Sequence, residues 1–178
     1  MEYTFTEAEL QEIQKHVAKY PDRHSAIMPA LWIAQEKFGW LSAESMKLVA
    51  DTLNVPYARV YGVASFYTMY IKENTPKHLI EICTCFTCGE CGGREMVQYA
   101  KDYLQVPAGG KVSNDGLFWV REAECLGACD TAPVAQITNR RYMHNLTEEK
   151  LRQTIQKLRN GEELPYEPIP LNNQAIID

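Results

Sequence analysis

The six cysteines of this chain fall into two groups whose spacing suggests metal chemistry. The first group lies in the segment ICTCFTCGECGG and the second in ECLGACDTAP. The N-terminal residues lack the apolar core of a secretory signal, so we expect a cytoplasmic protein with reduced thiols. In that setting clustered cysteines more often bind a metal than form structural disulfides. The members of the two groups are Cys83, Cys85, Cys88 and Cys91, followed by Cys125 and Cys129.

Three interpretations of this pattern are open from the residues alone. Zinc prefers four thiolates, but a zinc ribbon places its second pair about 15–20 residues after the first, whereas 36 residues separate Cys88 from Cys125. A thioredoxin-like dithiol at Cys85 and Cys88 would act as a disulfide reductase and would leave the second group unexplained. An iron–sulfur cluster needs four thiolates from loops that converge, which two distant groups can supply.

The elements that must position these cysteines change in type near residues 73–77. Up to that point the pattern predicts four helices, and a polar segment with Pro76 then marks a boundary. Thr6 with Glu9 is a capping box, and Ser42 is a cap. The predicted helices begin after Thr6, at Ser25 (ending at Phe38), after Ser42, and near Tyr57 (ending near Val63).

Beyond the boundary, short apolar segments predict strands that alternate with helices. The chain is therefore expected to be α+β, with an N-terminal helical bundle followed by a small α/β domain. The expected domains are residues 1–74, residues 75–161 and an extended tail over 162–178. Strands are predicted over 78–84, 117–125, 132–139 and 141–146, and helices over 92–104 and from Thr147 to Gly161.

Taken together, the two cysteine spacings and their flanks resemble one protein family. The C-x4-C pair, then CLGAC followed by Ala132-Pro133-Val134, is similar to the thioredoxin-like [2Fe–2S] ferredoxin subunit of NADH dehydrogenases, including NADH:quinone oxidoreductase (respiratory complex I). The segments IMPALWIAQEKFGWLS and VADTLNVPYARVYGVASFYTMY resemble the same family's helical leader. The resemblance covers roughly residues 8 to 160 and implies a thioredoxin-like α/β domain.

The resemblance also implies the site residues and the role of the protein. It assigns one [2Fe–2S] cluster to Cys83, Cys88, Cys125 and Cys129. Cys85 and Cys91 depart from the family pattern, and we expect them to be small, semi-buried residues near the cluster. The cluster would exchange single electrons with the FMN of a partner NADH-binding subunit, beside other subunits of a peripheral arm on the cytoplasmic side of a membrane. No catalytic activity is expected from the isolated chain.

Two further functions stay open, while the sequence argues against nucleic-acid binding, a membrane span and a dinucleotide site. The chain could serve a soluble NAD-linked hydrogenase or formate dehydrogenase in the same way, or could be a zinc-stabilised interaction module. A net charge of −5 argues against a nucleic-acid partner. We expect no membrane span, because no run of about eighteen apolar residues occurs. No G-x-G-x-x-G follows a strand, so NADH and FMN are expected on the partner and not on this chain.

Overall fold

The computed structural model of this protein describes residues 3–138 and 141–165. The chain forms two compact units, Met1–Thr75 and Pro76–Asp178. The predicted tail over 162–178 lies outside the described residues from position 166 onward, as do Asn139 and Arg140 in the predicted turn.

From residue 3 onward, the first unit contains four α-helices that share one apolar cluster. Ile13, Leu31 and Val49 have no exposed surface in this cluster, and the Tyr70 hydroxyl donates to the Met28 carbonyl at 2.9 Å. Burial of such side chains is the main stabilising contribution to a small unit. The helices are α1 (Glu7–Val17), α2 (Ile27–Phe38), α3 (Ala43–Leu53) and α4 (Tyr57–Phe66).

Local sequence signals set the ends of these helices. Thr6 caps α1 in the predicted capping box, since Glu9 accepts from the Thr6 backbone N–H at 2.7 Å. Ser42 caps α3 by accepting from the Ser45 N–H at 3.1 Å. Gly39 ends α2 in the left-handed conformation, with φ of +82°. These three predicted signals are confirmed.

Two helix boundaries differ from the prediction. Helix α2 begins at Ile27 instead of Ser25, because residues 23–26 form a turn of 3₁₀-helix that Asp22 caps through the His24 N–H at 2.9 Å. Helix α4 continues to Phe66 instead of ending near Val63.

Over its described residues, the second unit is a four-stranded mixed sheet with helices, which confirms the α+β class. The strand order is β2-β1-β3-β4, with β1 parallel to β2 and antiparallel to β3. Its elements are β1 (His78–Cys83), α5 (Phe86–Glu90), α6 (Gly93–Tyr103), β2 (Phe118–Ala123), β3 (Ala135–Ile137), β4 (Arg141–Met143) and α7 (Glu148–Arg159).

The register of the sheet brings both cysteine groups to one edge. Cys83 is opposite Ala123, so the carboxyl ends of β1 and β2 lie side by side. Ile82 is opposite Ala135, so β3 starts at the same edge. The chain leaving β2 must therefore pass the end of β1 before it enters β3. We call residues 83–92 the first cysteine loop and residues 124–134 the second cysteine loop.

The second unit also departs from the prediction, and strand β4 ends at Met143 instead of position 146. Strand β3 covers only Ala135–Ile137 of the predicted 132–139, because Cys129–Thr131 form a 3₁₀ turn and Thr138 has φ of +49°. The short helix α5 inside the first cysteine loop was not predicted. Within the described ranges, no helix combines the length and the apolar character that crossing a membrane requires.

Candidate metal centre

The first cysteine loop begins inside the sheet. Cys83 is the last residue of β1 and is 2% exposed. Its N–H donates to the Val134 carbonyl at 3.0 Å, and its Sγ lies 3.7 Å from the Glu124 carbonyl oxygen. Both partners belong to the second cysteine loop. Backbone contacts therefore hold the two loops together at the Cys83 thiol.

Cys88 lies on α5 with its thiol turned toward Cys83. It is 2% exposed, and the pKa of its thiol is raised to about 11, with burial as the largest cause. A hydrogen bond with the Cys83 side chain and negative charge on Cys83 and Cys129 also contribute to this rise, while a backbone hydrogen bond involving Val134 opposes it. Thiols of both loops thus influence one another electrostatically. A bound metal cation reverses such repulsion, because coordination stabilises the thiolate.

A glycine allows helix α6 to start directly against these two cysteines. A Cβ atom added at Gly93 would lie 2.4 Å from the Cys83 carbonyl oxygen and 2.7 Å from that of Cys88. Both neighbours are backbone atoms, so neither can move aside at small cost. Gly92 precedes it with φ of +91°. This position therefore requires glycine for the first cysteine loop to close.

The second cysteine loop carries its cysteines on the exposed side. Cys125 and Cys129 are both exposed. The Tyr142 hydroxyl on β4 donates to the Leu126 carbonyl at 2.9 Å. Burial raises the pKa of Tyr142, and negative charge on Glu81, Cys125 and Cys83 raises it further. Tyr142 therefore lies close to cysteines of both loops and holds the second loop over the first.

A second anchor of this loop is a buried pair of side chains. The Thr131 hydroxyl donates to the Ala128 carbonyl at 3.1 Å, so it accepts from His144 Nδ1 at 2.7 Å. His144 is 1% exposed, and its Nε2 has no hydrogen-bond partner among the described residues. The Asn145 N–H donates to the Thr131 carbonyl at 2.8 Å. Residues that follow β4 thus fix the turn that contains Cys129.

The structure brings Cys83, Cys88, Cys125 and Cys129 to one edge of one sheet. In the part of the chain that the structure describes, however, no three His, Cys, Asp or Glu side chains are gathered as ligands of a single metal ion. A two-iron cluster takes two thiolates on each iron, so it needs two pairs at one edge. The buried pair and the exposed pair would make four such donors, and soft thiolates suit iron bridged by sulfide.

Cys85 and Cys91 lie at the two ends of α5 and are both exposed. The expectation that they are semi-buried is wrong, because α5 turns only its Cys88 side toward the sheet. They are free thiols of the loop surface.

Three residues of the site were missed at the sequence level. Tyr142, His144 and Thr131 make the side-chain anchors of the second cysteine loop. The sequence could have indicated Tyr142 and His144, because positions 142 and 144 share one face of the predicted strand. Tyr142 is also an aromatic residue with a polar tip. Thr131 carried no such signal, since its role depends on a contact with a residue 13 positions away.

Comparisons with known proteins give the following similarities. A family model described as thioredoxin-like [2Fe–2S] ferredoxin matches residues 13–159. An NADH-quinone oxidoreductase subunit of Rickettsia bellii is 38% identical over 161 residues, covering 89% of this chain and 95% of that protein. "NADH-quinone oxidoreductase subunit 2" of Thermus thermophilus is 35% identical over 160 residues, covering 89% and 88%.

Among solved structures, the chain resembles part of an NAD⁺-reducing [NiFe]-hydrogenase in the air-oxidised state. The TM-score is 0.62 at 19% identity, and the match covers 78% of this chain. It spans about a quarter (24%) of the hydrogenase chain. At this identity the similarity concerns the fold.

Proposed function

Because the chain belongs to the thioredoxin-like [2Fe–2S] ferredoxin family and carries that family's [2Fe–2S] cluster, we propose that it is an electron-transfer subunit of NADH–quinone oxidoreductase. One observation carries the proposal: the relative from Rickettsia bellii, which bears that enzyme's name, matches this chain along 95% of its own length. The partner would be the subunit that binds NADH and FMN, and the isolated chain would have no catalytic activity.

The proposed ligands of the cluster are Cys83, Cys88, Cys125 and Cys129. When bound, such a cluster takes up and releases one electron at a time, at about −400 mV for four cysteine ligands in plant-type ferredoxins. The burial of Cys83 and Cys88 supports this assignment, because it keeps water away from one side of the site. The exposure of Cys125 and Cys129 leaves the other side open toward a partner.

The residues around the thiols hold the two loops in register. Tyr142 and Thr131 fix the second loop through hydrogen bonds, and Gly93 allows the first loop to close against α6. A site whose ligands sit on fixed backbone changes little on electron transfer, which favours fast exchange. The chain's own contribution is therefore to position the thiolates and to limit solvent on one side.

We also propose a role for each part of the chain. Residues 1–74 would form a helical bundle and residues 75–161 the ferredoxin domain, with an extended tail over 162–178. The helical part and the tail would contact the flavoprotein subunit and other subunits of the peripheral arm. No nucleic acid is expected as a partner. The assembly would lie on the cytoplasmic side of a membrane.

A second candidate is the equivalent subunit of an NAD-linked hydrogenase or formate dehydrogenase. The resemblance to an NAD⁺-reducing hydrogenase in fold is compatible with this host. The identity of the co-purifying subunits distinguishes the two. Quinone-reductase subunits support the first candidate, and a nickel- or molybdenum-containing subunit supports the second.

The proposal is tested by anaerobic reduction of the purified protein. The isolated chain with its cluster should oxidise no NADH, whereas adding the flavoprotein subunit and NADH should produce the EPR signal of one reduced two-iron cluster. NADH oxidation by the isolated chain, or no cluster signal with the flavoprotein present, would contradict it. Mass spectrometry of the native complex then identifies the host.

A further inference from the structure

Among the described residues of the second unit, the most exposed large apolar side chain stands in the first cysteine loop. Phe86 is 81% exposed, one residue after Cys85 and two residues before Cys88. Its chain neighbours Cys85 and Thr87 are exposed as well. Gly93 packs against the backbone of Cys88, so the helix that carries Phe86 is held at this edge of the sheet. The phenyl ring is therefore exposed to solvent in the loop that carries two of the proposed ligands.

The surroundings of Phe86 are acidic. Neither cysteine loop contains a lysine or an arginine, and the second loop and the end of β2 contribute Glu122, Glu124 and Asp130, all exposed. A hydrogen bond places Glu122 next to the first cysteine loop, because its Oε2 accepts from the Thr84 hydroxyl at 3.2 Å. Arg94, at the start of α6, is the basic residue next to the first loop. A cluster with four thiolate ligands adds further negative charge.

Electron exchange has to take place at this edge. Cys83 and Cys88 are buried whereas Cys125 and Cys129 are exposed, so within the described residues of the second unit the side of Cys125 and Cys129 is open to a redox partner. Glu124 precedes Cys125 and Asp130 follows Cys129 in the chain, and Phe86 lies in the first cysteine loop, which leaves the sheet at the same edge. An aromatic anchor with a charged rim is the usual composition of a binding hot spot and its surroundings.

We propose that Phe86 is the anchor of the face that docks the flavin-bearing subunit. This inference rests on the proposed function and specifies its docking surface. The matching face of the partner has an apolar recess for the phenyl ring and lysine or arginine side chains around it. Burying the ring supplies affinity, while the acidic rim speeds the encounter through charge complementarity.

The test compares two exposed apolar residues at opposite edges of the same sheet. Leu117 is 37% exposed and precedes β2, at the end of the strand far from the cysteine loops. Full-length protein with its cluster is prepared as Phe86→Ala and as the control Leu117→Ala. Binding to the FMN-loaded flavoprotein subunit is measured by interferometry, and the rate of cluster reduction by NADH is measured by stopped flow.

Phe86→Ala should weaken binding about tenfold or more, as expected for the loss of a buried aromatic anchor. Its cluster reduction should slow at subsaturating flavoprotein, and both quantities should stay unchanged in Leu117→Ala. The EPR spectrum of the isolated Phe86→Ala protein should match the wild type, because the ring is not a ligand. Equal binding by the two variants would contradict the docking face.

The charges are tested with the double variant Glu122→Gln and Glu124→Gln. Its association rate should become less sensitive to salt than that of the wild type, since charge on the rim acts mainly on the encounter. An increase in the association rate would contradict the basic partner face.

Two further outcomes separate this inference from others. If the wild-type cluster is not reduced by NADH and flavoprotein, the proposed function fails, and this docking face fails with it. A different result would overturn the docking face alone. In that case the wild-type cluster is reduced, Phe86→Ala binds the flavoprotein and is reduced like the wild type, and a wild-type dimer seen in sedimentation is lost in Phe86→Ala. The ring would then contact a second copy of this chain.

Discussion

The two cysteine loops reach the same sheet edge by different physical means. The first loop is held by packing: Cys83 belongs to a buried strand, Cys88 is buried, and Gly93 closes the loop with backbone atoms in contact. The second loop carries exposed cysteines and is held by side-chain hydrogen bonds from Tyr142 and His144. One half of the site is thus part of the core, and the other half is tethered to it.

This difference predicts how each half responds to damage. A closely packed backbone tolerates small changes in its neighbours, but it loses much of its stability when an added atom overlaps it. A tethered loop loses stability in steps of about 1 kcal/mol, one hydrogen bond at a time. The following substitutions test this contrast, beginning with the largest expected effect.

Gly93→Ala should have the largest effect, because its Cβ would overlap the carbonyl oxygens of Cys83 and Cys88. We expect the second unit to lose about 3 kcal/mol of unfolding free energy, near the upper range for overpacking, and the protein to contain less iron. Chemical denaturation, followed by the visible absorbance of the cluster, measures the unfolding free energy. Elemental analysis measures the iron content.

The matched control is Gly62→Ala in α4, where an added Cβ would meet nothing within 4 Å. Removing a helical glycine should raise stability by up to about 1 kcal/mol and leave iron content unchanged. If Gly93→Ala behaves like this control, the first loop is not closed by backbone contact.

Thr131→Val should have an intermediate effect. It keeps the side-chain volume but removes the hydroxyl that accepts from the buried His144 Nδ1 at 2.7 Å. Leaving that donor unsatisfied costs about 1–3 kcal/mol. The cluster should be lost to a chelator at least several-fold faster than in the wild type.

Thr131→Ser serves as its control because serine keeps the hydroxyl. The rate of cluster loss in this variant should stay near the wild-type rate, measured by the same decay of visible absorbance. Identical rates for the valine and serine variants would show that the turn containing Cys129 does not depend on His144.

Tyr142→Phe should have the smallest effect. It removes one hydrogen bond, to the Leu126 carbonyl, and keeps the ring packed beside Cys83 and Val134. The expected cost is about 1 kcal/mol, together with a modest shift of the cluster potential, because the loop backbone relaxes near the thiolates. Protein-film voltammetry measures the potential. A stability loss larger than that of Thr131→Val would reverse the ranking of the two anchors.

Much of the fold could be predicted because its signals are local. The Thr6 capping box, the Ser42 cap and the Gly39 stop each lie within a few residues of the helix end that they determine. The alternation between strands and helices after residue 77 likewise indicated a small α/β domain with a sheet. Parallel pairing of β1 with β2 confirms that expectation.

What could not be predicted depends on contacts between distant residues. The short helix α5 exists where the first loop packs against the sheet, and a five-residue segment carries too little periodicity to be recognised. The exposure of Cys85 and Cys91 follows from which side of α5 is buried. The Thr131–His144 pair joins residues 13 positions apart, so neither residue alone indicates its role.

We propose that Cys83, Cys88, Cys125 and Cys129 together hold one two-iron cluster. This assignment is tested most directly by measuring iron, labile sulfide and the EPR signal in four single Cys→Ser variants prepared without air, beside the double variant Cys85→Ser/Cys91→Ser. We expect two irons per chain and an unchanged signal in the double variant, and an altered or lost cluster in each of the four single variants. A wild-type signal in any of the four, or its loss in the double variant, would contradict the ligand assignment.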